Sequence, residues 1–95
     1  MDAAELMGYS SFYKIRGSIP GLDCNKATEP GSYYYYLEQG GLANSPGFTR
    51  FVLHTFVSSE FMAQVALSFA SEEYNGVSFK YRAFTNKNWF TWRGL

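Results

Sequence analysis

The 95-residue chain has one cysteine, one histidine and no surplus of charge of either sign. Because Cys24 has no second cysteine, neither an intramolecular disulfide nor a cysteine-based zinc site can form, and His54 alone cannot supply a metal cluster. Lys plus Arg and Asp plus Glu each total 8, so the net charge is zero. Nucleic-acid binding needs a clustered surplus of cations to neutralise phosphates. We therefore expect no metal, no cofactor and no nucleic-acid partner.

Long apolar runs are also missing. No segment approaches the roughly 18 to 20 apolar residues that a membrane-spanning helix requires, so we expect no membrane insertion. Residues 1–11 have neither the basic region nor the apolar region of a signal peptide. We therefore expect the protein to be made and folded in a cytoplasm.

Charge is scarce while aromatic residues are abundant. Charged residues make up 17% of the chain and aromatic residues 20%. Soluble domains average about 25% charged residues, so much of this surface must be uncharged or covered by a partner. A single domain of this size has room for a core but not for a deep catalytic cleft as well. The composition favours one compact domain in an assembly over a free-standing enzyme.

Turn-forming residues divide the chain into short segments that are typical of strands. Asp2-Ala-Ala-Glu5 has the spacing of a capping box, so we expect a short helix or frayed turn at residues 2–7, with a disordered terminus as the alternative. Clusters of Gly, Pro and Asn at 17–21 and 40–47 then separate the runs YSSFYKIR, SYYYYLEQ and GFTRFVLHTFV. The pattern predicts a mainly β domain, built as a small antiparallel sheet or sandwich.

The segment SSEFMAQVALSFASEEYNG favours helix by propensity but alternates like a strand, and the next run repeats the alternation. A three-residue loop ending at Gly76, with that glycine in the left-handed conformation, would pair Leu67 with Ala83. The predicted core of this hairpin contains the odd-numbered apolar residues Phe61, Phe69, Phe79 and Tyr81. Its other face carries Gln64, Ser68, Lys80 and Arg82, and we expect this polar face to meet water or a neighbouring subunit.

No group of residues has the spacing of a catalytic site. His54 has no nucleophile or carboxylate at a recognisable distance in sequence, so a structural role is expected. Cys24 could be a nucleophile only with His54 as its base, and nothing in the sequence brings the two together. Glu72 and Glu73 would point to opposite faces of a strand, so they cannot form an acid/base couple. We predict no catalytic residues.

The run from Tyr33 to Tyr36 is the most unusual local feature. In a strand it sends two phenols to each face, so one pair can enter the core while the other faces outward. Exposed tyrosines, together with Trp89 and Trp92, could pack at a subunit interface or stack on sugar rings. The two tryptophans are three residues apart, so a regular strand would place them on opposite sides.

Several separated segments together resemble the knob domains of R-type pyocin fibres and bacteriophage tail fibres. Residues 23–34 are similar to the family pattern Asp-Leu-Asn-Thr-x-x-x-Pro-Gly-x-Tyr, with Cys24 in the place of Leu. Asn44-Ser45-Pro46-Gly47 is similar to the loop before the family's next strand. Gln64-Val65-Ala66, Tyr81-Arg82 and the terminal Trp-x-x-Trp of residues 88–95 follow in the family's order. The resemblance covers 17–95 and leaves 1–16 as an N-terminal segment without a counterpart.

The resemblance implies a phage or phage-derived virion domain that attaches a fibre to the host cell surface without catalysis. Such fibres are usually trimers, so the implied partners are two further copies, other virion fibre proteins, and host polysaccharide or surface protein. The candidate ligand or subunit contacts are Tyr34, Tyr36, Trp89, Trp92, Arg82 and Gln64. The candidate structural residues are Asp23, Asn25, Pro30, Gly31 and Gly76.

Three other functions remain open from the sequence. The domain could be an architectural knob or collar whose aromatic surface is entirely subunit interface. A small polysaccharide depolymerase would need two carboxylates facing each other across a groove, and no motif suggests such a pair. A small phage-encoded inhibitor of a host protein would also be short and neutral.

Overall fold

The computed structural model describes residues 14–59, 61–68 and 78–94. The described residues form one sheet of seven strands, which confirms the predicted mainly β class. The strands are β1 (Ile15–Ser18), β2 (Gly31–Tyr36), β3 (Arg50–Val57), β4 (Met62–Ser68), β5 (Ser78–Thr85), β6 (Asn88–Trp89) and β7 (Arg93–Gly94). Short 3-10 helices occupy Pro20–Leu22, Cys24–Lys26 and Leu37–Gln39. The helix expected at residues 2–7 lies outside the described residues.

The strands follow the order β1-β2-β3-β4-β5-β6, and β7 also pairs with β5. β1 runs parallel to β2, whereas the other pairs are antiparallel. A parallel pair needs a crossover connection, and residues 19–30 supply it by folding across one face of the sheet. We call this segment the cap. No helix within the described part of the chain is long and apolar enough to cross a membrane.

The core lies between the cap and the sheet face that it covers, which we call the inner face. Strand residues of the inner face alternate with those of the opposite, outer face, as the pleat requires. The buried apolar residues of the cap and inner face are Ile19, Cys24, Ala27, Tyr33, Tyr35, Phe51, Leu53 and Ala66. Residues Leu22, Leu42, Phe48 and Trp92 pack around them.

The predicted β4–β5 hairpin is present, but its register is wrong. Leu67 pairs with Phe79 rather than with Ala83, and Ala83 pairs with Ala63. Odd positions do pair with odd positions, but the partners are shifted along β5. The last described pair is Ser68 with Ser78, which continues the shifted register. The predicted turn and Gly76 lie outside the described residues.

The predicted core face of this hairpin is also wrong. Gln64 is 0% exposed and Arg82 is 5% exposed, whereas Phe61 is 52% and Tyr81 is 40% exposed. Polar side chains can be buried when they find hydrogen-bond partners, and the cap offers backbone carbonyls to Gln64. The apolar alternation in β4 and β5 therefore marks the outer face. Phe79 is partly buried there, and Phe69 lies outside the described residues.

The tyrosine run divides between the two faces as predicted. Tyr33 and Tyr35 are each 3% exposed, while Tyr34 is 42% and Tyr36 is 41% exposed. The buried phenols donate hydrogen bonds to loop carbonyls, Tyr33 to Glu29 at 2.8 Å and Tyr35 to Gly40. The outward rings of Tyr34 and Tyr36 stack with their centroids 6.0 Å apart.

Motif residues build a turn inside the cap and the junction of the cap with β2. Asp23 Oδ1 accepts a hydrogen bond from the Asn25 amide at 2.9 Å, which caps the second 3-10 helix. The Pro30 carbonyl accepts a hydrogen bond from Arg16 Nε at 2.9 Å. Gly31 has a φ of 144°, and a Cβ there would lie 2.3 Å from the Lys14 carbonyl oxygen. Only glycine fits where the cap enters β2.

Candidate ligand-binding site

The six candidate contact residues lie on two separate surfaces. Tyr34 and Tyr36 belong to the outer face of β2. The structure brings together the other four, Gln64, Arg82, Trp89 and Trp92, on the opposite side of the sheet.

A tight hairpin turn positions Trp89. Asn86 and Lys87 have φ values of 53° and 67°, and positive φ at both central positions is the geometry of two-residue hairpin turns that suit the strand twist. The turn pairs Phe84 with Trp89, and their ring centroids lie 5.1 Å apart. Trp89 is therefore folded back over the inner face of β5.

The chain after β6 leaves strand geometry and brings Trp92 to the same place. Residues 90–92 are not in a strand, and the Trp92 indole donates a hydrogen bond to the Asn44 carbonyl at 2.9 Å. The prediction that Trp89 and Trp92 point to opposite sides is therefore wrong. Both tryptophans lie over one guanidinium.

That guanidinium belongs to Arg82. Its central carbon is 4.0 Å from the Trp89 ring centroid and 4.6 Å from the Trp92 ring centroid, within the range of cation–π contacts. Arg82 Nε donates to Gln64 Oε1 at 2.9 Å. Gln64 Nε2 in turn donates to the carbonyls of Cys24 at 2.8 Å and Ala27 at 3.2 Å. One polar chain therefore links the cap, β4, β5 and the two indoles.

Arg82 keeps its charge although it is buried. Burial lowers the pKa of Arg82, and the negative charge of Asp23 acts in the opposite direction. Because arginine is not deprotonated in proteins, the side chain remains a cation at neutral pH. Among the residues that the structure describes, its hydrogen-bond and ring partners are all neutral.

Two buried polar atoms near this cation have no hydrogen-bond partner within the described residues. They are Arg82 Nη2, a donor, and Asn25 Oδ1, an acceptor. Most buried polar atoms in proteins are paired, so an unpaired one calls for an explanation. Both residues line the same cleft.

The cleft has a volume of about 560 Å³. It combines aromatic rings, amides, hydroxyls and two cations, and no acidic residue is found among its described lining residues. The lining residues are Asn25, Asn44, Ser45, Arg82, Phe84, Lys87, Asn88, Trp89, Phe90, Thr91 and Trp92. A neighbouring cavity of about 420 Å³ shares Arg82, Phe90 and Thr91 with it and adds Arg93.

The position of Asn44 depends on the Asp23 turn of the cap. Asn44 Nδ2 donates to Asp23 Oδ1 at 2.8 Å, and this hydrogen bond is the main reason that the pKa of Asp23 lies below its usual value. A backbone bridge between Asp23 and Ala43 holds the two loops side by side. The cleft wall is therefore fixed to the motif turn.

Cys24 and His54 do not form a catalytic pair. Cys24 is fully buried in the cap, and burial raises the pKa of its thiol to about 12. His54 lies on the outer face, where burial lowers the pKa of its imidazole. The sheet separates the two side chains. Among the described residues, no three His, Cys, Asp or Glu side chains are grouped to hold a metal.

The outer face is the second candidate surface. Its half-exposed aromatic residues are Tyr34 at 42%, Tyr36 at 41%, Phe56 at 38% and Tyr81 at 40%. Across the described parts of β2 to β5, the only charged residue on this face is Arg50, at its margin opposite Tyr36. Large apolar surfaces of this kind mark contact with another molecule.

Sequence reasoning missed the polar cleft residues Asn44 and Lys87 and the local charge of the site. Residues 78–94 contain Lys80, Arg82, Lys87 and Arg93 but no acidic residue. The zero net charge of the chain conceals this asymmetry, which counting charges segment by segment would have found.

Comparisons with known protein families, curated proteins and solved structures found no match to the chain.

Proposed function

We propose that this chain is a non-catalytic domain of a phage or phage-derived virion fibre, and that it attaches to host cell-surface glycans through the Arg82 cleft. The observation that carries the proposal is the buried Arg82 cation, which contacts two indole rings, lines an aromatic and polar cleft and has an unpaired Nη2. Saccharide sites combine flat aromatic surfaces with planar hydrogen-bonding groups in this way.

The segments that resemble fibre knobs are joined at this cleft, which supports the proposal. Asp23 bonds to Asn44, Asn44 accepts from Trp92, and Trp92 lies over Arg82. Arg82 bonds to Gln64, whose amide holds the cap. The motifs that are distant in sequence therefore build one site.

The outer face supports the proposal that the domain acts as a homotrimer within a fibre. Its stacked Tyr34 and Tyr36 rings on β2 and the half-exposed Tyr81 on β5 offer apolar surface with little charge, as a subunit interface requires. Three copies on one projection would bind a polysaccharide with an avidity greater than that of a single cleft. Attachment to other virion fibre proteins would place the domain on the virion surface.

A glycan array and a host-cell adsorption assay test the attachment. Phe90 is 55% exposed and lines the cleft, so Phe90→Ala should remove contact surface without disturbing the core. Leu37→Ala is the matched control, because Leu37 is an exposed apolar residue at 59% and does not line the cleft. We expect about fivefold weaker binding for Phe90→Ala, since about 1 kcal/mol of contact is lost, and no change for Leu37→Ala.

Failure to bind any glycan or any cell surface would overturn the attachment proposal. A trimer by mass photometry that does not adsorb would instead favour an architectural knob or collar, which the large outer face also suits. A monomer with the outer face still exposed would overturn the trimer.

A further inference from the structure

Positive charge is concentrated in the segment that builds the cleft. Of the four cations in residues 78–94, Lys80 is already engaged, because its Nζ donates to the Pro46 carbonyl at 2.7 Å. Arg82 and Lys87 line the cleft, and Arg93 lines the adjoining cavity. Among the described residues, none that lines either space is acidic.

Asp23 is the acidic residue whose negative charge acts on Arg82, but its hydrogen bonds are made to other groups. Asp23 Oδ1 accepts hydrogen bonds from the Asn25 amide and from Asn44 Nδ2. The described ion pairs join other residues, Arg16 with Glu29 and Arg50 with Glu38. Within the described residues, Arg82 therefore forms no ion pair.

A buried cation whose hydrogen-bond and ring partners are all neutral is stabilised by direct contact with an anion. Arg82 is 5% exposed, and its Nε bonds to a neutral amide oxygen. Its unpaired Nη2 can donate to a carboxylate, while the unpaired Asn25 Oδ1 can accept from a hydroxyl. A sugar acid carries both groups on one ring.

We propose that the cleft recognises an acidic saccharide, in which a sugar carboxylate lies against Arg82 and Lys87 and a hydroxyl donates to Asn25. This inference rests on the proposed glycan attachment and narrows it to one chemical class. Arg93 in the adjoining cavity extends the positive surface toward the next sugar unit of a polymer.

Affinity electrophoresis with the intact chain tests the class directly. The probes are polygalacturonate, hyaluronate and polysialate, each compared with its carboxyl-reduced form, which keeps the backbone and loses the charge. We expect retardation by at least one acidic polymer and at least about tenfold weaker binding to its reduced form, because a charge-assisted hydrogen bond is lost. Dextran sulfate serves as a polyanion without carboxylates.

Surface variants keep the test independent of folding. Lys87→Gln should weaken binding about threefold, as expected for one exposed charge contact. Lys14→Gln is the matched control, because Lys14 is exposed and does not line the cleft. Arg82→Gln should weaken binding at least about tenfold, and its circular dichroism spectrum must remain native for the result to count. Raising the salt concentration from 0.1 M to 1 M shortens the Debye length from about 10 Å to about 3 Å and should also weaken binding.

Each result has a defined meaning. Equal binding to acidic and reduced polymers would overturn the acidic class and leave glycan attachment intact. Equal or tighter binding to dextran sulfate, or an equal loss in Lys14→Gln and Lys87→Gln, would show general attraction to polyanions and overturn the inference. No binding to the three acidic polymers would also overturn it, whereas no binding to any glycan on the array would overturn the attachment proposal as well.

Discussion

The two faces of the sheet reverse the usual relation between polarity and burial. On β4 and β5 the inner face buries Gln64 and Arg82, while the outer face leaves Tyr81 half exposed. The inner polar groups meet carbonyls and indole rings supplied by the cap and by residues 89–92. The face of a strand that is buried is therefore decided by the partners available to it, and not by its apolar content alone.

The first prediction compares the stability cost of substitutions on the inner and outer faces of β4. Gln64→Leu should lower the free energy of unfolding by about 3 kcal/mol, because Arg82 Nε and the cap carbonyls lose their partner in a buried setting. On the outer face, Val65→Thr should cost about 1 kcal/mol or less, since its side chain is only partly buried. Urea unfolding measures both, and a larger loss in the Val65 variant would contradict the assignment of the faces.

The second prediction concerns the glycine where the cap joins the inner face. Gly31→Ala should cost about 2 kcal/mol, because φ is 144° and the new Cβ would press on the Lys14 carbonyl. Gly41→Ala is the control, with no atom within 4 Å of its Cβ position, and should change stability by less than about 0.5 kcal/mol. Thermal melts of the two variants should separate clearly; coincident melting curves would mean that the cap does not approach β2 as described.

The third prediction uses neighbouring tyrosines on opposite faces. Tyr35→Phe removes the hydroxyl that donates to the Gly40 carbonyl and should cost about 1 kcal/mol. Tyr36→Phe removes a hydroxyl from a half-exposed ring and should cost less than about 0.5 kcal/mol. Chemical denaturation at a fixed protein concentration compares them, and equal costs would show that the two phenols are not distinguished by burial.

The smallest expected effect is a pH dependence of the free energy of unfolding that arises from His54 on the outer face. Burial lowers the pKa of His54 in the folded chain below its ordinary 6.5, so the unfolded chain takes up the proton more readily. The free energy of unfolding should therefore fall as the pH drops from 6.5 through the folded pKa. His54 is the only histidine, so His54→Gln should flatten the profile in this window. An NMR titration with the imidazole pKa above 6.5 would reverse the sign and contradict the prediction.

The predictable parts of the fold were those fixed by local chemistry. The alternation of Tyr33 to Tyr36 follows from strand geometry, and the turn at Asp23 needs a partner only two residues away. The face of β4 was not predictable in this way, because the acceptor for Gln64 is the Cys24 carbonyl, 40 residues earlier in the chain. The β4–β5 register was missed together with it, since Gln64 and Arg82 are directly opposite and bonded.

The candidate site was predicted in part, for the same reason. Motif resemblance selected Gln64, Arg82, Trp89 and Trp92, which do meet. Tyr34 and Tyr36 were also candidates because aromatic side chains can bind ligands, but they lie on the other face. The type of a side chain does not show where in the fold it lies. Only the path of residues 90–92 places both indoles over one cation, and no local pattern in the sequence specifies that path.

Cys24 gives this protein a built-in reporter. It is the only cysteine, it is fully buried, and the pKa of its thiol is raised to about 12, so a thiol reagent cannot modify it while the cap is closed. The rate at which a reagent labels Cys24 under native conditions therefore measures how often the cap opens away from the sheet. A ligand that binds at Arg82 and stabilises the closed cap should lower the labelling rate of Cys24. The cysteine would therefore report ligand binding in the cleft without contacting the ligand.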